Sequence, residues 1–226
     1  MKGKLYGIGV GPGDPELMTL KAVRIIKESD VIVAPGEVAE NTVAYKIAMR
    51  ACPFLSEKHV VGIDMPMTKD DEKRKASHEN ATSIVRKLLE EGKNVGFLTL
   101  GDPTIYATYI YVHQRIEKMG YETEIISGIT SFCAAAAKLN IGLVEKEEML
   151  HVLPASYEIE EALKYPGTKV LMKTASKMKE VKEKLRKYDA TVQMVENCGL
   201  ENEKVYGSLE EIPAKSSYFS LVIVKE

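Results

Sequence analysis

Gly11, Pro12, Gly13 and Asp14 close a glycine-rich turn behind the first apolar stretch of the chain, Leu5 to Val10. Glycine suits backbone that takes positive φ or lies against a ligand, and proline stiffens the chain around it. Gly101, Asp102, Pro103 and Thr104 form a second such turn behind the clearest buried strand, Asn94 to Leu100, with Tyr106 one helical turn further on. In an open α/β sheet, ligands bind outside the carboxyl ends of the strands, where both turns would fall. Taken singly, each is equally a tight strand-to-helix connection, with Asp102 capping the next helix. Neither is a phosphate cradle. The dinucleotide pattern counted from Gly7 needs Gly or Ala where Pro12 stands, and counted from Gly9 it fails at Asp14; no Gly-Lys-Ser or Gly-Lys-Thr follows.

Other residue types add little chemistry. His59, His78, His113 and His151 lack the spacing of metal ligands, and Cys52, Cys133 and Cys198 are too widely separated for a zinc motif or a disulfide framework, so no protein-bound metal is expected. No serine elbow, Cys–His signature or kinase set is present. Composition and spacing alone describe an α/β ligand-binding enzyme of unspecified chemistry.

The elements that must hold the two turns follow from periodicity. Thr19 caps a helix with apolar Leu20, Val23 and Ile26 at helical spacing, and Tyr106, Tyr109, Ile110, His113 and Ile116 read as one face of another helix. Strands are expected at Val31 to Ala34, His59 to Ile63, Thr123 to Ile126, Met149 to Leu153, Lys169 to Lys173, Thr191 to Glu196, Lys204 to Gly207 and Tyr218 to Val224. Strand and helix alternate at first, and the last strands follow one another without a long helix. The fold expected is therefore α/β with two α/β domains, residues 1–119 around a mainly parallel sheet and 120–226 around a mixed one. The 31 basic and 33 acidic residues give a net charge of −2, with no basic excess to attract nucleic acid. The longest apolar runs are strand-sized, and no signal peptide precedes the first strand, so a cytoplasmic protein with no membrane partner is expected.

Four segments in order, GIGVGPGDPELMTLKA, FLTLGDPTIY, SGITSFCAAAA and VENCG, resemble the tetrapyrrole (corrin/porphyrin) methylases, which transfer methyl groups from S-adenosylmethionine (SAM) and release S-adenosylhomocysteine. Within that family, MPMTKD at Met65 to Asp70 and the extended TLGDPTIYATYIYV segment are similar to the enzymes methylating C-20 of cobalt-factor II or precorrin-2 on the way to cobalamin. The resemblance implies a homodimer of two-domain chains with SAM in the cleft between the domains. Gly101, Asp102, Ile105, Tyr106, Thr130 and Ser131 would line SAM from one side, and Met172, Cys198, Phe219 and Ser220 from the other. Relatives often carry Pro-Ala where this chain has Phe219-Ser220. The substrate would meet Gly11, Pro12, Gly13 and Asp14 together with Met67, Thr68 and Lys69, and any cobalt would arrive in its ring. Asp14 or Tyr106 would take the C-20 proton, and Lys69, Arg74 or Arg50 would meet substrate carboxylates. Alternatives are a family member acting at another ring carbon, a non-catalytic tetrapyrrole binder, a methylase of ribosomal RNA or of a diphthamide precursor, and a dinucleotide-dependent redox enzyme. Charge balance weighs against the RNA substrate, the C-20-like segments against the protein substrate, and both failed glycine registers against the dinucleotide.

Overall fold

Leu5 and Ile8 lie on the first strand but face different cores, and that division organises the first half of the chain. The computed structural model describes residues 2–66, 68, 70–154 and 159–226. They form two compact units, Met1–Thr130 and Ser131–Glu226, each with its own five-stranded sheet.

In the first unit, β1 (Leu5–Gly9), β2 (Val31–Pro35), β3 (His59–Ile63), β4 (Val95–Thr99) and β5 (Thr123–Ile126) are all parallel, in the order β3-β2-β4-β1-β5. Side chains alternate across a strand, so a sheet covered on both faces divides its apolar residues between two cores. Ile8, Ile32 and Leu98 pack with α1 (Leu20–Glu28) and α2 (Val43–Ala51). Leu5, Val33 and Phe97 pack with α3 (Asp71–Glu90) and α4 (Tyr109–Lys118). Helix starts follow from their caps: the Thr19 hydroxyl accepts the Ala22 N–H, Thr42 accepts that of Tyr45, and Asp70 accepts those of Glu72 and Lys73.

Neighbouring strands β1 and β4 send their chains to opposite faces, β1 into α1 and β4 into α4. In open α/β sheets ligands bind at the carboxyl edge beside such a reversal.

The second unit begins with α5 (Ser131–Leu139) and continues through β6 (Leu150–Pro154), α6 (Ile159–Ala162), β7 (Thr168–Met172), α7 (Met178–Leu185), β8 (Thr191–Glu196), β9 (Lys204–Tyr206) and β10 (Ser220–Lys225). Its sheet runs β6-β7-β10-β8-β9, parallel at β6-β7 and antiparallel elsewhere. Leu171, Met194, Val222 and Val224 face α6 and α7, while α5 packs on β8 and β10. The expected pairing of a parallel and a mixed sheet is what the chain forms.

Three expectations shift. The first unit runs on through Thr130, past the boundary expected near residue 120, because β5 pairs with β1 from Leu5↔Thr123 onward. Leu20 is 90% exposed, since the buried stripe of α1 is Ala22, Ile25 and Ile26. Tyr106 precedes α4, which begins at Tyr109, and its φ of 48° is incompatible with a right-handed helix. Among the described residues no helix is long and apolar enough to cross a membrane.

Glu124 on β5 ties the sheet to its neighbours, accepting from Lys4 at 2.8 Å and Lys21 at 2.7 Å. Hydrogen bonds from Lys21 and then Lys4 hold its carboxyl at about 2. A carboxyl depressed in the folded state stabilises above the usual carboxylate range and loses that contribution as pH falls through its folded value. Glu124→Gln is therefore expected to lower the urea midpoint at neutral pH, with the difference from wild type shrinking as pH falls from about 5 towards 2.

Candidate active site

The two turns singled out in the sequence meet at the β1/β4 reversal. The Gly101 N–H donates to the Gly11 carbonyl at 2.8 Å and the Gly11 N–H donates to the Gly101 carbonyl at 3.2 Å, an isolated antiparallel bridge that ties the two turns together beyond the ends of the parallel strands. Gly101 has a φ of 69°, in the left-handed region that favours glycine.

Asp102 is buried and joins this pair to the end of β5. One carboxylate oxygen accepts the N–H and hydroxyl of Thr104; the other accepts the Gly128 N–H at 2.9 Å. A Cβ at Gly128 would lie 2.1 Å from the Gly101 carbonyl oxygen and 2.9 Å from the Gly9 backbone, so three strand ends approach only because no side chain stands there. The sequence reading placed Gly128 within the segment SGITSFCAAAA but gave it no role of its own.

Other expected residues fall around this junction. Gly11, Pro12 and Gly13 are buried, and half-buried Asp14 caps a short 3-10 turn by accepting the Glu16 N–H at 2.9 Å. Ile105 is half-buried, and Tyr106 is 51% exposed at its left-handed φ. Thr99 ends β4 and Thr130 ends the first unit; the hydroxyl oxygens of both are buried and have no hydrogen-bond partner among the described residues. Buried hydroxyls without partners are costly, and a ligand bringing its own polar atoms relieves that cost. Thr68 accepts the Asp70 N–H at 3.1 Å, while Met67 and Lys69 lie outside the described residues. Arg74 pairs with Asp71 at 2.7 Å near the start of α3. Arg50 stands in the last turn of α2, at the amino edge of the parallel sheet and away from both turns.

Met172, Cys198, Phe219 and Ser220 gather at one edge of the second sheet. Register pairs Met172 with Leu221 and Glu196 with Ser220, and the Asn197 N–H donates to the Phe219 carbonyl at 2.9 Å. The Ser220 hydroxyl is buried and donates to the Ser217 carbonyl at 2.9 Å, so its neighbours already engage that side chain. Glu196 accepts from the Ser217 N–H and from the Tyr206 hydroxyl, and the Ser217 hydroxyl donates to Asn197. Behind Cys198, burial pushes the Glu203 carboxyl up, but Lys138 at 2.6 Å and the Gly199 N–H at 2.7 Å outweigh it and hold the group below its ordinary value. Lys173 and Asn197 directly follow β7 and β8 at positive φ, 59° and 53°, which no periodicity could announce.

Among the described residues neither edge carries a Ser-His or Cys-His pair; at the second edge the Cys198 thiol bonds to the Glu203 carboxylate, which Lys138 and Gly199 also hold. Each edge offers shaped backbone, apolar walls and a few fixed polar atoms, an arrangement suited to holding two reactants in register.

The sequence profile of the Tetrapyrrole (Corrin/Porphyrin) Methylases matches residues 4–213. The chain is 37% identical to a probable cobalt-precorrin-2 C(20)-methyltransferase of Methanocaldococcus jannaschii, over 98% of this chain and 96% of the relative. It is 31% identical to the cobalt-precorrin-2 C(20)-methyltransferase of Salmonella typhimurium, over 100% of this chain and 98% of that protein. Among solved structures it resembles a cobalt precorrin-4 methyltransferase of cobalamin biosynthesis, with a TM-score of 0.78 and 19% identity, covering 98% of this chain and 94% of the other.

Asp102→Asn leaves one side-chain acceptor for three donors and turns an N–H towards another N–H. It is expected to cost about 1–3 kcal/mol in urea unfolding.

Proposed function

Because the chain belongs to the tetrapyrrole methylases, we propose that it methylates C-20 of a cobalt-loaded precorrin-2-type ring, cobalt-factor II, using SAM. The observation that carries this reading is full-length similarity above 30% to two C-20 methyltransferases whose names specify the cobalt substrate. The junction of two turns at the reversal point of a parallel sheet supports it in three dimensions.

The donor-binding residues in this reading are Gly101, Asp102, Ile105, Tyr106, Thr130 and Ser131 in sequence order, then Met172, Cys198, Phe219 and Ser220. SAM supplies an electrophilic methyl group on a sulfonium when bound. The Thr130 hydroxyl, without a hydrogen-bond partner among the described residues, fits such a ligand, which brings hydrogen-bonding atoms of its own. Asp102 serves the site by shaping it, since both its carboxylate oxygens hold backbone N–H groups of the chain.

The protein's part is to hold the nucleophilic ring carbon in line with the methyl group, exclude water and take the proton that C-20 releases. Asp14 is the proposed acceptor: it is held at the carboxyl edge by its bond to the Glu16 N–H, behind the stiff Gly11-Pro12-Gly13 wall. Tyr106, exposed at the same edge, is the second group in reach of a ligand there. Gly11 to Asp14, Met67, Thr68 and Lys69 are the proposed substrate contacts. In the same reading the protein works in the cytoplasm as a homodimer. Its three free cysteines fit a reducing compartment, and sedimentation analysis reads the assembly.

With methyl-labelled SAM, label should enter the cobalt-loaded ring faster than metal-free precorrin-2. Faster transfer to the metal-free ring reverses the substrate assignment, and tight pigment binding without transfer identifies a carrier. Asp14→Ala should lower turnover at least tenfold while S-adenosylhomocysteine affinity, read by calorimetry, is retained. Thr130→Val should do the opposite, weakening S-adenosylhomocysteine by about tenfold.

A further inference from the structure

Lys173 stands at the site edge of the second sheet with a side chain that the proposed chemistry leaves without a task. It follows the last residue of β7 and is half-buried. Its φ of 59° lies in the left-handed region, where a lysine is held only by its surroundings and glycine or asparagine would sit more easily. Asn197, at the end of β8, is of that easier kind. Backbone held in a costly conformation points to a use for the side chain that stands there.

Its ammonium has no carboxylate within ion-pair distance among the described residues, unlike the lysines at 4, 21, 138, 169 and 184. It stands 5.9 Å from the centre of the Tyr218 ring, a distance at which the ring face orients a cation without neutralising it. Continuing the β7–β10 register one step past Met172↔Leu221 sets Lys173 opposite Ser220. The carboxylate on the far side of Ser220, Glu196, is occupied by Tyr206 and Ser217.

We infer that Lys173 binds a carboxylate of a ligand seated on this edge. The inference rests on the methyl-transfer reading, which brings two carriers of that group: the amino-acid end of the methyl donor and the acidic side chains of the tetrapyrrole. An ammonium that is partly shielded from water and already aimed by an aromatic face makes a stronger charge-assisted bond than a fully solvated one.

Three variants test this: Lys173→Gly, which also relieves the backbone; Lys173→Met, which keeps length without charge; and Lys173→Arg, which keeps charge. Calorimetry with S-adenosylhomocysteine and with 5′-methylthioadenosine, which lacks the amino-acid end, is paired with KM for the cobalt-loaded ring. The Gly and Met variants should lose about tenfold or more towards one carboxylate ligand, and Arg should restore most of it. Weaker S-adenosylhomocysteine with unchanged 5′-methylthioadenosine assigns the donor; raised KM with unchanged S-adenosylhomocysteine assigns the tetrapyrrole. A folded Lys173→Gly protein, at least as heat-stable as wild type, with both quantities within twofold of wild type overturns the inference while leaving the methyl-transfer reading intact. Wild-type protein that binds neither ligand overturns both.

Discussion

Two backbone hydrogen bonds between Gly11 and Gly101 hold the first unit's site edge in shape. They join the exits of neighbouring strands whose chains then part to opposite faces, so the loops cannot drift independently. Asp102 and Gly128 bring the end of β5 to the same point, and the close approach there leaves no room for a Cβ. A site assembled from main chain in this way is pre-organised: little conformational entropy remains to be lost when a ligand arrives.

The second unit builds its edge differently. Side chains of Glu196, Asn197, Ser217 and Ser220 bond to one another and to local backbone, fixing the ends of β8 and β10. Fully partnered polar groups of this kind are rigid, which suits positioning more than proton traffic. Methyl transfer asks for that, because its transition state disperses charge and rewards alignment over acid–base assistance. That neither edge shows a Ser-His or Cys-His arrangement among the described residues is in keeping with the same chemistry.

Much of the fold was legible in the sequence. His59–Ile63, Thr123–Ile126 and Thr191–Glu196 form strands at the expected residues, because apolar alternation bounded by breakers specifies them locally. The turns at Gly11 and Gly101 were equally plain, since glycine and proline mark backbone that side-chain patterns cannot describe. What periodicity could not supply was non-local or conformational. The extent of the first unit depends on β5 pairing with β1 across most of that unit, and Tyr106 was drawn into a helix because spacing carries no φ. Arg50 looked as suitable as any cation until topology put it at the wrong edge of the sheet. Lys173 read as the last residue of a strand, whereas the strand ends at Met172 and Lys173 turns out of it at positive φ.

The place of β1 bears on how the protein is made. It leaves the ribosome well before its two neighbours, β4 and β5, so its hydrogen-bonding edges stay open until residues 95–99 and 123–126 have been synthesised. Late closure of distant pairs slows folding and exposes strand edges to other chains. In a nascent chain, the glycines of β1 lessen that hazard, because glycine is a poor strand former and a weak template for misplaced pairing. The junction of the two glycine turns is thus among the last parts of the first unit to form, and a chain stalled before β5 carries the Gly11 turn without the strand end that Gly128 brings to it.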